Sequence, residues 1–358
     1  MNQSNKKADV IFDCERMRHA HTGLYHFCLQ LGNALMLNRN HSNHRLGFYL
    51  PSKEASLFGE NPYNKSHSSL HKYAMPFANK YSVWHGTYQD SNYFPLRSST
   101  KKVLTVHDLN FLHENKPADK IAKYIKNLQD KIDRTDRIVT ISNFVKKEIE
   151  ETMNLRGKEI QVIYNGCNIN EHIRPIKPQF SVENPFLFSI GTIAPKKNFH
   201  VLPAMLLDND LDLIIAGTMF HKEYHQKVLS ESKRLGVHNR VHLTGPITEA
   251  EKYWLLKNCD LFCFPSLAEG FGLPVIEAMH FGKNVVLSDS TSLPEIGGPH
   301  AHYFDGFDPD QVSMLTTKIL ESIDTQAESQ QIKAWAQQFN WRNTAEEYWQ
   351  IYKELLQD

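Results

Sequence analysis

The stretch from Pro265 to Gly282, PSLAEGFGLPVIEAMHFG, constrains this chain more than any other. Phe262, Cys263 and Phe264 before it are apolar, as the end of a covered parallel strand should be. Pro265 and Ser266 stop that strand. Gly270 and Gly272 permit backbone angles and close approaches that a side chain would block. Pro274 suits the first turn of a helix. That helix is expected from about Val275 to Phe281, with Gly282 ending it. Backbone donors at such a helix start favour an anion, typically phosphate. Glu269 stands before the turn and Glu277 about one turn into the helix. Two acids beside a phosphate-ready helix start have the chemistry of a sugar-nucleotide site. The competing reading is an ordinary strand–turn–helix joint with solvated acids.

The rest of the chain repeats one pattern. Strands are expected at Ala8–Asp13, Arg45–Leu50, Ser82–His85, Lys102–Val106, Arg137–Ile141 and Glu159–Tyr164. Residues 51–80 read as polar and irregular. Phe27, Leu31, Ala34 and Leu35 recur at helical spacing and face a core. Ile121, Ile125, Leu128 and Ile132 do the same on a helix near Asp119–Arg134, with Lys123, Lys126 and Lys131 facing outward. Ser142 caps the helix after it. Residues 170–184, polar and dotted with proline, form the expected domain linker.

Strands then resume at Pro185–Gly191, Leu211–Ala216, Val241–Leu243, Leu261–Phe264 and Val285–Leu287. A helix follows TIAPKKN, and the last helices cover about Gln311–Ile323, Glu328–Phe339 and Trp341–Gln357. Two runs of alternating strands and helices imply an α/β chain with two doubly wound domains. The expected division is 1–172 and 173–340, the helix at 341–358 packing back on the first domain. A cleft between two such domains is the default ligand site.

Composition excludes several classes. A chain of 358 residues, 41% hydrophobic and 22% charged, is globular rather than disordered. No apolar run is long enough for a membrane span, and the start MNQSNKKADVIFD has no signal-peptide core. The five cysteines form no CxxC pair and read as reduced core residues of a cytoplasmic protein. Net charge is zero but unevenly placed: residues 1–180 carry 26 Lys+Arg against 17 Asp+Glu, and the remainder 14 against 23. The basic half suits an anionic partner, such as a lipid surface at the inner face of the cell membrane. Complementary charge between two domains explains it equally well. Nucleic acid is not expected, because no basic run has regular aromatic interleaving. His19, His21 and His26 cluster without the spacing of a metal site. Asp208-Asn209-Asp210 matches the Asp-x-Asp of metal-dependent transferases but precedes a strand instead of following one. No GxGxxG follows the first strand, which disfavours a nicotinamide dehydrogenase.

With these residues laid out, the second half resembles the retaining glycosyltransferases of family 4, which have the GT-B fold of two facing Rossmann-like domains. The carriers are SIGTIAPKKN, LTGPIT, FPSLAEGFGLPVIEAM and SLPEIGG, joined in the first half by HDL at 107–109, TISNF at 140–144 and VIYNG at 162–166. The resemblance implies transfer of a hexose from a nucleotide-diphosphate sugar to a glycan or lipid-linked acceptor, as in bacterial polysaccharide or lipopolysaccharide assembly. Mannose is preferred by likeness to mannosyltransferase members. It also implies roles. Glu277 would bind the ribose hydroxyls, since a carboxylate accepts two donors at once. Glu269 would hold the donor sugar, and the backbone at Gly270, Phe271, Gly272 and Leu273 the sugar and phosphate. Lys196 and Lys197 would neutralise the leaving diphosphate, so that no metal or other cofactor is required. His107 would line the cleft near sugar and acceptor. Gly245 at a strand end and Gly23 from the first domain would also serve the donor.

The chain departs from the family pattern at Lys196, where arginine is usual, and at His21, where a further glycine is usual. Lysine keeps the charge but loses the bidentate fork. A non-catalytic sugar-nucleotide-binding protein on the same fold is the alternative reading.

Overall fold

The computed structural model describes residues 8–20, 22–38, 44–114, 116–180, 183–322 and 326–357. The sequence readings at the N-terminal start, at His21 and at Ile323 lie outside these residues. The chain divides into two compact units. One runs to Asn168 and takes up Phe339 onward; the other spans Ile169–Gln338.

The first unit contains strands β1 (Val10–Asp13), β2 (Leu46–Leu50), β3 (Lys65–Ser66), β4 (Val83–Gly86), β5 (Lys101–Val106), β6 (Arg137–Thr140) and β7 (Ile160–Val162). Its helices are α1 (Gly23–Leu37), α2 (Ala118–Ile132) and α3 (Asn143–Thr152). The strands form one parallel sheet in the order β3-β2-β1-β4-β5-β6-β7. The second unit contains β8 (Phe186–Ile190), β9 (Asp212–Ala216), β10 (Val241–Gly245), β11 (Leu261–Phe264), β12 (Val285–Ser288) and β13 (His302–Phe304). They too are parallel, in the order β10-β9-β8-β11-β12-β13. Helices α4 (Lys222–Arg234), α5 (Glu249–Asn258), α6 (Leu273–His280), α7 (Leu293–Gly297), α8 (Pro309–Ser322) and α9 (Ala327–Ala336) belong to it. The chain closes with α10 (Trp341–Gln357), within the first unit.

Each sheet separates two apolar clusters, because alternate strand residues point to opposite faces. In the first unit Val10 and Phe12 join Phe27, Leu31, Leu35, Trp349 and Tyr352 on one face. Ile11 joins Leu104, Leu128, Ile132 and Ile149 on the other. In the second unit Leu187 and Phe188 divide in the same way. This is the doubly wound arrangement. The strand order reverses between β1 and β4 in one unit and between β8 and β11 in the other. Ligands bind beyond the carboxyl ends of strands at such switch points.

Helix α10 is tied to the first unit by polar contacts as well as packing. The Trp349 indole donates to the Leu35 carbonyl (3.1 Å), and the Tyr352 hydroxyl lies 2.5 Å from His85 Nδ1. The segment after Asn168 is held on the second unit, where Ile176 N donates to the Ala250 carbonyl at 3.0 Å and Asn170 N to the Tyr253 hydroxyl at 2.8 Å.

Several readings need correction. The irregular stretch 51–80 contains β3, a two-residue strand on the sheet edge too short to register as a pattern. The helix after TIAPKKN is a pair of 3₁₀ segments, Pro195–Lys197 and Phe199–Leu206. Pro203 inside the second removes a backbone donor. Strand β13 and the short α7 went unread. Lys131 does not face outward: it is buried, with its ammonium donating to the Gln89 carbonyl. Burial pulls its pKa down to about 8, despite the opposing Asp90 and Asp13 carboxylates. Lys123 and Lys126 are exposed.

Candidate active site

In the second unit the residues expected to serve the donor lie at or beyond the carboxyl ends of β8, β10 and β11 and on α6. Gly191 follows β8, Gly217 follows β9, and β10 ends on Gly245. Gly191 N donates to the Ala216 carbonyl and Gly217 N to the Gly245 carbonyl, both at 2.9 Å. A Cβ on Gly217 would stand 1.8 Å from the Gly191 carbonyl oxygen, so the backbones of these ends pack directly against each other. Gly217 (φ 143°) and Gly245 (φ 75°) adopt angles that suit glycine.

Beyond β8 the chain turns through Lys196 and Lys197 into Asn198, a non-glycine residue in the left-handed region at φ 56°. Beyond β11 it turns through Ser266 to Glu269. These two turns are bonded together: Leu267 N donates to the Lys196 carbonyl (2.8 Å), and Ser266 Oγ lies 3.2 Å from the same oxygen. Lys197 Nζ forms an ion pair with Glu269 Oε1, both side chains being about 15% exposed or less. The ammonium also sits 4.8 Å from the Phe264 ring centroid. Ser266 Oγ donates to the same Glu269 oxygen at 2.5 Å.

The Glu269 backbone is fixed on both sides. Its N–H donates to Thr291 Oγ1 (3.0 Å) and its carbonyl accepts from Ser292 Oγ (2.8 Å). Ser292 Oγ also reaches the Phe271 carbonyl at 3.2 Å. Thr291 and Ser292 were not singled out from the sequence, and Ser266 was read only as a strand stop. Hydroxyl residues beside a strand-end acid, in FPSLAE and DSTSLPE, are the signal for them.

Helix α6 begins at Leu273, with Gly272 as its N-cap at φ 107° and no side chain capping it. A Cβ on Gly272 would meet Leu293 at 2.9 Å. Gly282 ends the helix region at φ 73°. Glu277 is buried on α6, and its Oε2 pairs with Lys252 Nζ of α5 at 3.0 Å. Lys252 was not identified from the sequence.

The first unit supplies its own strand ends. His107 follows β5 and is buried. Its Nε2 lies 2.8 Å from the Thr87 carbonyl, so that nitrogen carries the proton and donates. Its backbone N–H donates to Gln89 Oε1 (3.1 Å), and its ring meets Phe27 edge-on at 4.5 Å. Burial lowers its pKa to about 4, against the raising effect of the Thr87 hydrogen bond, so the ring is neutral near pH 7. Gly23 is the first residue of α1, which Thr22 caps by accepting from Tyr25 N at 3.2 Å. A Cβ on Gly23 would meet nothing within 4 Å. A concavity of about 690 Å³, lined by Asp136, Arg137, Lys158 and Glu354 among others, opens at the starts of β6 and β7. It lies at the other strand ends from His107.

Comparison with known proteins fits this geometry. The family model described as Glycosyltransferase Family 4 matches residues 19–171, and that described as Glycosyl transferases group 1 matches residues 172–339. The O-antigen chain mannosyltransferase B of Escherichia coli is 27% identical over 289 residues, covering 75% of this chain and 74% of that protein. A serotype-specific mannosyltransferase WbdA of Escherichia coli is 28% identical over 243 residues, covering 62% of this chain but only 29% of its own length. Among solved structures, Anabaena Alr3699/HepE in complex with UDP and glucose superposes with a TM-score of 0.75 at 18% identity. The match covers 97% of this chain and 99% of that one. The two family models account for most of the chain between them, and both sheets have the doubly wound order. The protein belongs to glycosyltransferase family 4 and has the GT-B fold.

Proposed function

We propose that this glycosyltransferase moves a hexose, mannose in preference, from a nucleoside diphosphate sugar to an acceptor hydroxyl in bacterial polysaccharide or lipopolysaccharide assembly, with retention at the anomeric carbon. The observation that carries the reading is the Lys197–Glu269–Ser266 cluster, set at the switch-point ends of β8 and β11 beside the uncapped start of α6. A fixed ammonium and a helix start stabilise a diphosphate whose charge grows as the bond to the sugar breaks. Glu269 accepts the sugar's hydroxyls, and Glu277 those of the ribose. The names of the relatives, an O-antigen chain mannosyltransferase and a serotype-specific mannosyltransferase, support the sugar and the setting.

In the transfer the acceptor oxygen bonds to the anomeric carbon on the face the diphosphate leaves. The bond from that carbon to the phosphate oxygen breaks, and the acceptor's proton passes to the departing phosphate. No carboxylate nucleophile is invoked. Lys196, Lys197 and the helix start balance the diphosphate charge without a metal ion. His107, neutral with Nε2 committed to a carbonyl, acts by hydrogen bonding and shape rather than as a cationic acid. The basic first half and the exposed Lys123 and Lys126 of α2 support peripheral contact with an anionic membrane, where a lipid-linked acceptor would reside.

Transfer assays with GDP-mannose, UDP-glucose and UDP-galactose test the reading. Lys197→Ala is expected to lower kcat about a hundredfold, the scale of one lost transition-state donor. Glu277→Ala is expected to raise the donor KM with a smaller effect on kcat. Unchanged kinetics in both variants would remove the proposed donor site.

A further inference from the structure

The most unusual electrostatic feature of the second unit is a buried ion pair. Lys252 on α5 and Glu277 on α6 meet at 3.0 Å, with side chains only 10% and 5% exposed. Glu249, 44% exposed, takes the same ammonium at 2.9 Å from one turn earlier on α5. Burial works against the Lys252 charge, but the Glu277 and Glu249 carboxylates beside it hold its pKa above the usual lysine range. Removing two charges from water is costly, and a buried pair seldom repays that cost as net stability. Its presence therefore calls for another explanation.

The pair is rigidly mounted. Helix α5 starts with a capping box, in which Thr248 Oγ1 accepts from Glu251 N at 3.2 Å and Glu251 Oε2 accepts from Thr248 N at 2.8 Å. The Ala250 carbonyl is bonded to Ile176 N, and the Tyr253 hydroxyl to Asn170 N. The ammonium is thus delivered to one particular oxygen of Glu277, Oε2, from a helix fixed at its first turn.

We infer that Lys252 is a positioning residue for nucleotide recognition: by holding Glu277 Oε2 it fixes the carboxylate's rotation, so that selection of ribose over deoxyribose depends on Lys252. This rests on the reading of Glu277 as the ribose ligand. A buried carboxylate deprived of its cation is left uncompensated, which disfavours the placement that offers both oxygens to the ribose hydroxyls. It also regains rotational freedom, which weakens a two-point contact.

Isothermal titration of the full chain with UDP, GDP and their 2′-deoxy forms tests this. The wild type is expected to prefer the ribonucleotide at least tenfold, about the worth of one hydrogen bond to a charged group. Lys252→Met is expected to weaken ribonucleotide binding about tenfold, to weaken the deoxynucleotide, which keeps only its 3′-hydroxyl, less, and to lower the ratio at least threefold. Lys252→Arg, which keeps the cation, should restore most of the ratio. A merely structural role would lower the melting temperature and leave the ratio intact. If Lys252→Met does not fold, Lys252→Gln is measured instead, with at least a threefold fall in the ratio expected. A folded neutral variant that keeps the wild-type ratio overturns the role of Lys252 and leaves the ribose reading standing. A wild-type ratio near one for both bases, or no binding of either diphosphate, overturns the ribose reading itself.

Discussion

At the scale of single residues, two histidines in the first unit are held neutral by their surroundings. His85 is fully enclosed, with Nδ1 2.5 Å from the Tyr352 hydroxyl and Nε2 2.7 Å from Thr105 Oγ1. Burial, with a smaller contribution from His107, lowers its pKa from 6.5 to about 3; burial lowers His107 to about 4. In both cases the folded pKa is below the unfolded one. The unfolded chain therefore binds more protons between about pH 6.5 and pH 3–4, and stability falls as the pH drops through that window. Above pH 6.5 neither group adds pH dependence. The shifts correspond to roughly 5 kcal/mol for His85 and roughly 3 kcal/mol for His107 across the whole window. Melting temperatures of the wild type and His107→Gln, measured from pH 7.5 to 4.5, isolate one of the two. The wild type should lose more on acidification, so that the gap between the two curves changes steadily below pH 6.5. A gap independent of pH would mean that His107 is not a buried neutral ring.

At the scale of elements, the glycine-tipped strand ends beyond β8, β9 and β10 are a different kind of constraint. Gly217 and Gly236 both have positive φ, at 143° and 75°. Gly236 follows α4, and a Cβ there meets nothing within 4 Å, so alanine costs only the backbone strain, about 1 kcal/mol. At Gly217 the added carbon would collide with the Gly191 backbone as well. Gly217→Ala is expected to lose at least about 2 kcal/mol in urea unfolding and to weaken nucleotide binding, because Gly191 leads into the Lys196–Lys197 turn. Equal effects at the two glycines would refute the packed-backbone account.

What was legible in the chain follows the same division. Helix α6, its glycine cap and the strand before it were readable because each depends on residues close in sequence. So were the faces of α1 and α2, which repeat at helical spacing. Lys131 on α2 and Lys252 on α5 were not. Their burial depends on partners more than twenty residues away, Gln89 for one and Glu277 for the other. A lysine in a polar helix looks solvated until that partner is known. The 3₁₀ form of Phe199–Leu206 was missed for a related reason. Its apolar residues satisfy either helix type, and the position of Pro203 decides between them.

At the scale of the whole molecule, the zero net charge conceals two halves of opposite sign. A neutral protein gains nothing from a membrane's field, but a basic half within it does. In the first unit α2 presents Lys120, Lys123 and Lys126 at exposed positions, and Leu70 and Tyr73 are exposed apolar side chains at 71% and 77%. Exposed cations and exposed apolar groups on one unit suit an anionic lipid surface. No helix among the described residues is long and apolar enough to cross a membrane. Co-sedimentation with phosphatidylcholine vesicles, with and without about 30% phosphatidylglycerol, tests the contact. Recruitment is expected only with the anionic lipid at about 20 mM salt, falling severalfold at about 300 mM as the screening length shortens. Replacing Lys120, Lys123 and Lys126 by glutamine should remove most of that recruitment and leave transfer to a water-soluble acceptor unchanged. If anionic vesicles recruit nothing at low salt, the basic half does not serve membrane contact.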